Sequence, residues 1–198
     1  SSSQYCDGKF NYQYTSTYKY YCGYWAFDVT NTSATTPNLI WRINPNETTG
    51  PYLDEPWGKM AIGRVKINGN EKWVGFIGAG YNNDGDPNRG KGFFVVDLSN
   101  GNILWSYTRG NSSGMTYNIP ASPAIVDTDN DGFVDTAYIG DLGGNVWRFK
   151  FCTGADGNAC NTSNWSGGLL FSSAGLSKIP LIYTTPSSVR GSSGDVWV

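Results

Sequence analysis

Histidine is absent from all 198 residues of the sequence. That absence removes Ser-His-Asp and Cys-His nucleophile systems, imidazole metal ligands and the usual general base near neutral pH. Carboxylate pairs of the glycosidase kind stay available, but most classes of enzyme lose ground. Charge is scarce as well: 15% of residues are charged and the formal net charge is −2. So even a balance offers no electrostatic footprint for nucleic acid and no polybasic patch for anionic lipid. No apolar run approaches the ~20 residues that span a bilayer, so no transmembrane segment is expected. The chain opens on "SSSQYC" with neither Met nor a signal peptide, the expected form of a processed or truncated product.

Aromatic residues (15%) and glycines (26) are plentiful, and chains of this kind are built of strands and tight turns. Lys72–Tyr81, Gly92–Leu98, Asn102–Thr108, Thr136–Leu142 and Asn145–Phe151 are short, aromatic and β-branched, with Gly, Asn and Asp between them. No segment sustains apolar residues at i, i+3, i+4 and i+7 beyond about two turns, so no helix is expected. The length fits one domain with a substantial core.

Cys6, Cys22, Cys152 and Cys160 form no CxxC, which disfavours a zinc ribbon or a thioredoxin-like motif. Local disulfides Cys6–Cys22 and Cys152–Cys160 are the simplest of three connectivities, with free buried thiols as the alternative. Such pairs place maturation in an oxidising compartment.

One plan recurs along the chain. In Trp25–Ile43, Phe93–Tyr107 and Ala137–Phe149 an aromatic strand ends in Asp, a polar turn follows, and a second strand carries Trp. The markers are Asp28, Asp97 and Asp141. The second step matches a four-stranded propeller blade of roughly 40–50 residues, and the first a blade with an insertion. In such a hairpin the Asp accepts from backbone N–H groups while the Trp packs between blades. An antiparallel sandwich with similar hairpins is the alternative.

The strongest chemical signal is "DTDNDGFVD", Asp127 to Asp135. It sets carboxylates at positions 1, 3, 5 and 9 and Gly132 at position 6, as in the first part of an EF-hand calcium loop. Ca²⁺ takes several oxygen ligands in irregular geometry, and a bound dication relieves the repulsion among Asp127, Asp129, Asp131 and Asp135. Phe133 would add its backbone carbonyl. Position 12 is Tyr138 instead of a bidentate Glu, and the flanks read as strands, so the loop joins two strands and Asp135 closes the shell. The plain alternative is a solvated Asp/Asn/Gly turn. A second acidic segment, Tyr81–Gly90 with Asp84 and Asp86, contains Pro87 and Arg89 and reads as a surface hairpin loop. The tyrosine-rich N-terminal run reads as an insertion packed on a blade and held by Cys6–Cys22.

"KMAIGRVKINGNEKWVGFIGAGYNNDGDPNRGKGFFVVDLSNGNILW", followed by "NIPASPAIVDTDNDGFVDTAYIGDLGGNVWRF", resembles the C-terminal β-propeller domain of PilY-type type IV pilus proteins. The resemblance covers Trp25 to Phe151. It implies an all-β fold, a modified seven-bladed propeller shown outside the cell or at the pilus tip after export through the periplasm. It implies Ca²⁺ held by Asp127, Asp129, Asp131, Phe133 and Asp135, and partners among the minor or major pilins and a host or abiotic surface. The implied roles are pilus biogenesis, twitching motility and attachment, without catalysis. Some members carry an Arg-Gly-Asp motif for host integrins. Here Arg89-Gly90, Arg109-Gly110 and Arg190-Gly191 run into Lys91, Asn111 and Ser192, so that activity does not carry over. At ~45 residues per blade the chain supplies four to five blades. It ends at "GDVWV" inside an expected strand. Residues 1–198 therefore read as a partial propeller with an insertion over about 1–24, to be completed by other fragments of the same propeller. Two other classes stay open: an extracellular scaffold or lectin-like propeller, and a quinoprotein dehydrogenase fragment, whose repeats share the Asp-turn-Gly-Trp plan.

Overall fold

The computed structural model describes residues 23–31, 33, 35–44, 52–82 and 85–198. The chain is all-β, with four antiparallel sheets among the described residues. The first pairs β1 (Tyr24–Asp28) with β2 (Asn38–Ile43). The second runs in chain order through β3 (Ala61–Ile67), β4 (Asn70–Gly78), β5 (Gly92–Asp97) and β6 (Ile103–Thr108). The third does the same with β7 (Ala124–Val126), β8 (Thr136–Gly140), β9 (Val146–Lys150) and β10 (Ser166–Phe171). The last is a hairpin of β11 (Val189–Arg190) and β12 (Val196–Trp197). No α-helix occurs among the described residues; Gly154–Asp156 and Thr162–Asn164 are single 3₁₀ turns.

Turn chemistry sets the register. Asn68 and Gly69 both have positive φ, 51° and 74°, between the paired residues Ile67 and Asn70. That is the two-residue turn an Asn-Gly pair favours, because its twist matches the flanking strands.

β5 explains why the sheets stack as blades. Each of its six residues is buried. Phe93 and Val95 enter one core with Phe76, Ala137, Ile139 and Phe149, while Phe94 and Val96 enter another with Trp41 and Ile43. Side chains alternate across a strand, so a strand buried on both faces has a sheet on either side. The second sheet lies between the first and the third, the arrangement of neighbouring propeller blades.

The five expected strands correspond to β4, β5, β6, β8 and β9, each within a few residues. The Asp turns also form: Asp97 accepts from Ser99 N at 2.9 Å, and Asp141 from Gly143 N at 2.8 Å. The inter-blade role of tryptophan holds for Trp105, whose ring meets Phe149 of the third sheet and Phe151 and Trp165 at the ends of its strands. The spacing of the Asp markers, however, is not the blade repeat. Asp97 ends the third strand of its sheet, whereas Asp141 follows the second strand of the next. The complete blades begin at Ala61 and Ala124, further apart than ~45 residues, because long connections such as the one between β4 and β5 are inserted. Among the described residues there are two complete blades and two two-stranded sheets.

Candidate metal centre

The Asp-rich loop joins β7 to β8, starting beside the pair Val126–Thr136. Backbone amides turn inward along it. Asp127 Oδ1 accepts from Asn130 N at 2.6 Å and Asp131 N at 3.2 Å, and its Oδ2 accepts from Gly132 N at 2.8 Å. The tight course needs positive φ at Asn130 (64°) and Gly132 (89°). Asn tolerates the left-handed region better than most side chains, and Gly enters it at no steric cost.

Asp127, Asp129 and Asp135 come together, each offering a carboxylate oxygen, and these oxygens lie within 4.8 Å of one another. Asp135 is 2% exposed. Its Oδ2 accepts from Thr128 N at 2.8 Å and from the Thr128 hydroxyl at 2.7 Å. Its Oδ1 is buried and has no hydrogen-bond partner among the described residues. A buried carboxylate oxygen left bare is costly, so this atom asks for a cation or a donor.

Asp131, the fourth carboxylate, stands outside that trio. Its Oδ2 forms an ion pair with Lys66 Nζ of β3 at 2.7 Å, and its Oδ1 accepts from Phe133 N at 2.9 Å. Its carboxyl is held below the usual range: partial loss of water raises it, and the Lys66 hydrogen bond, the Phe133 amide and the Lys66 charge outweigh that. The Phe133 ring lies under two cations, Lys66 Nζ at 4.4 Å and the Arg64 guanidinium carbon at 5.1 Å from its centroid. Arg64 Nη2 also donates to the Gly132 carbonyl at 3.1 Å. One blade thus grips the acidic loop of the next.

A disulfide completes the surroundings. Cys152 and Cys160 are bonded, with Cα atoms 5.8 Å apart, as the spacing led us to expect. Gly154, inside the closed loop, donates its N–H to Asp129 Oδ2 at 2.7 Å. Cys160 O accepts from Asn68 N, at the β3–β4 turn of the neighbouring blade, at 2.8 Å. These contacts to Lys66, Arg64 and Gly154 were missed in the sequence, where the partners lie far from the Asp loop and no local pattern joins them. Cys6, Cys22 and Asp84 lie outside the described residues. Asp86 serves a turn, its Oδ1 accepting from Asn88 N at 2.7 Å and Arg89 N at 3.1 Å.

Stacked antiparallel blades with an acidic loop at one inter-strand turn define a β-propeller fragment. Residues 19–175 match the family model described as the PilY1 beta-propeller domain, and the chain belongs to that family. It is 31% identical over 132 residues to "Type IV pilus biogenesis factor PilY1" of Pseudomonas aeruginosa strain PAO1, a match covering 67% of this chain and 10% of the relative. A PilY1 homolog of Xylella fastidiosa is 31% identical over 135 residues, covering 63% of this chain and 9% of that protein. The crystal structure of the Pseudomonas aeruginosa PilY1 C-terminal domain superposes with a TM-score of 0.68 at 26% identity, covering 87% of this chain and 36% of that one. The chain spans about a tenth of the length of the curated relatives it matches.

Proposed function

We propose that this propeller fragment binds Ca²⁺ at Asp127–Asp135 and works, as part of a longer protein, in type IV pilus biogenesis, twitching motility and surface attachment. The calcium reading rests on Asp135, which shares a carboxylate cluster with Asp127 and Asp129 and whose buried Oδ1 has no donor among the described residues. Every available ligand there is a hard oxygen, which favours Ca²⁺ over a thiolate- or imidazole-seeking metal. Asp127, Asp129 and Asp135 would hold the ion, with Asp131 and the Phe133 carbonyl completing the shell. Calcium would neutralise the loop and fix the turn between β7 and β8.

The pilus reading comes from family membership and from the names of the relatives. The role is structural and adhesive, not catalytic. The protein would leave through the periplasm and act at the pilus tip or cell surface, meeting pilins on one side and a host or abiotic surface on the other. Consistent with export, Cys152 and Cys160 are bonded, and no helix of the described residues is long and apolar enough to cross a membrane. Residues 1–198 would form a partial propeller, with about 1–24 an insertion held by Cys6–Cys22 and further fragments of the same propeller completing the ring.

The test uses the full-length parent protein. Asp129→Ala or Asp131→Ala should reduce surface pili or twitching while export continues, and Asp28→Asn, in an exposed hairpin distant in sequence, should do less. Normal piliation, twitching and attachment in the loop variants would defeat the proposal.

A further inference from the structure

Lys66 stands where a competing cation would stand. It lies on β3, in the blade next to the one that carries the acidic loop, yet its ammonium sits 2.7 Å from Asp131 Oδ2. Both side chains are largely shielded, 32% and 22% exposed. The Phe133 face holds the ammonium from a second direction, at 4.4 Å. Asp131 is also the carboxylate left out of the trio formed by Asp127, Asp129 and Asp135.

We infer that Lys66 is a built-in counter-cation of the acidic loop, and that metal binding exchanges its ion pair with Asp131 for a metal–carboxylate bond. This rests on the calcium reading above. Without metal, four carboxylates within nine residues are partly balanced by the Lys66 charge and by N–H donors such as that of Gly154. A dication brought beside Asp127, Asp129 and Asp135 repels the ammonium and attracts the Asp131 carboxylate, so the same oxygen cannot serve both fully. Lys66 then sets two properties. It lowers the affinity for calcium, because the ion must displace it, and it keeps the empty loop folded against β3.

Arg64 is not equivalent. Its guanidinium has Glu71 as an acidic partner at 3.4 Å, and it holds the Gly132 carbonyl instead of a carboxylate. The exchange therefore belongs to Lys66. Through it, β3 of one blade responds to whether the loop of the next is filled.

The test is calcium titration calorimetry with melting curves in EGTA and in saturating calcium, on the wild type, Lys66→Met, Lys66→Gln, Asp131→Asn and Lys66→Met/Asp131→Asn. Met keeps the length and apolar stem over Phe133. Lys66→Met and Lys66→Gln should tighten calcium binding by about tenfold, since one positive charge is removed next to the site. They should melt lower than the wild type in EGTA and close to it in saturating calcium. Once Asp131 is Asn, Lys66→Met should bring a clearly smaller gain, the mark of a coupled pair. Wild-type binding with unchanged or weaker affinity in both Lys66 variants would overturn the exchange and leave the calcium site standing. Absence of calcium binding by the wild type would overturn both.

Discussion

Phe93 of β5 and Phe149 of β9 stack across the boundary between the two complete blades, ring centroids 4.0 Å apart and planes 12° from parallel. Both rings are fully buried. Phe151, Trp105 and Tyr107 surround them, so the blade interface is largely an aromatic cluster. Phe149→Ala should therefore cost about 3–5 kcal/mol in urea unfolding, from lost transfer energy plus the cavity left behind. Phe149→Leu should cost clearly less. A loss near zero for the Ala variant would mean that the blades do not depend on this contact.

The Asp turns should differ in weight according to burial. Asp141 is fully buried and accepts from Gly143 N, Asn145 N, Asn145 Nδ2 and Trp147 Nε1, the last at 2.8 Å. Asp141→Ala strands these donors and should cost about 3–5 kcal/mol, as breaking a buried charged network does. Asp28 is exposed and, among the described residues, serves only Thr30, so Asp28→Ala should stay within ~1 kcal/mol. Equal losses at the two positions would refute this ranking.

The strands and the acidic loop were legible because their signals are local. An aromatic, β-branched run between Gly and Asn residues reads as a strand wherever it is placed, and D-x-D-x-D-G-x-x-D carries its turn within itself. The blade period was not legible, because Asp97 and Asp141 mark hairpins of different rank. Their likeness reflects a shared turn chemistry and not a shared place in the blade. The grip of Lys66 and Arg64 on the loop depends on two blades meeting, and only tertiary structure brings residues 65 positions apart together. β7, only three residues long, was legible as the strand that leads into the acidic loop.

Reduction should loosen the site from the disulfide side. Cys152–Cys160 closes a short loop with a sequence separation of 8, which in the chain-entropy account stabilises the fold by about 2–3 kcal/mol. Cys152→Ser with Cys160→Ser should lower the melting temperature and also weaken calcium binding, because Gly154 loses its anchored position at Asp129 Oδ2. Peptide mapping without reductant should recover Cys152 linked to Cys160, and Cys6 linked to Cys22. A stable double Ser variant with unchanged calcium affinity would uncouple the two features.

Acid should act through Asp97 and Asp131. Burial opposes ionisation of Asp97, but hydrogen bonds from Lys72 and Ser99 and the Lys72 charge outweigh it, and its carboxyl is held below the usual range. Asp131 is lowered in the same way by Lys66. A carboxyl depressed on folding contributes stability that is present above its unfolded value, about 3.9, and is lost as pH falls through its folded value. Stability measured in EGTA should thus fall steeply below about pH 4. Asp97→Asn should flatten that fall while lowering stability at neutral pH. An acid limb unchanged in both Asp97→Asn and Asp131→Asn would contradict the assignment.

The most direct measurement is the melting temperature of the wild type and of Asp135→Asn in EGTA and in millimolar calcium. If Asp135 Oδ1 awaits a cation, calcium should raise the wild-type value, with a stabilisation of ~2.7 kcal/mol when the ion is a hundredfold above its Kd. Asp135→Asn should lose most of that rise, and magnesium at equal concentration should give less, since it accepts an irregular oxygen shell poorly. Identical wild-type melting in EGTA and in calcium would contradict the account.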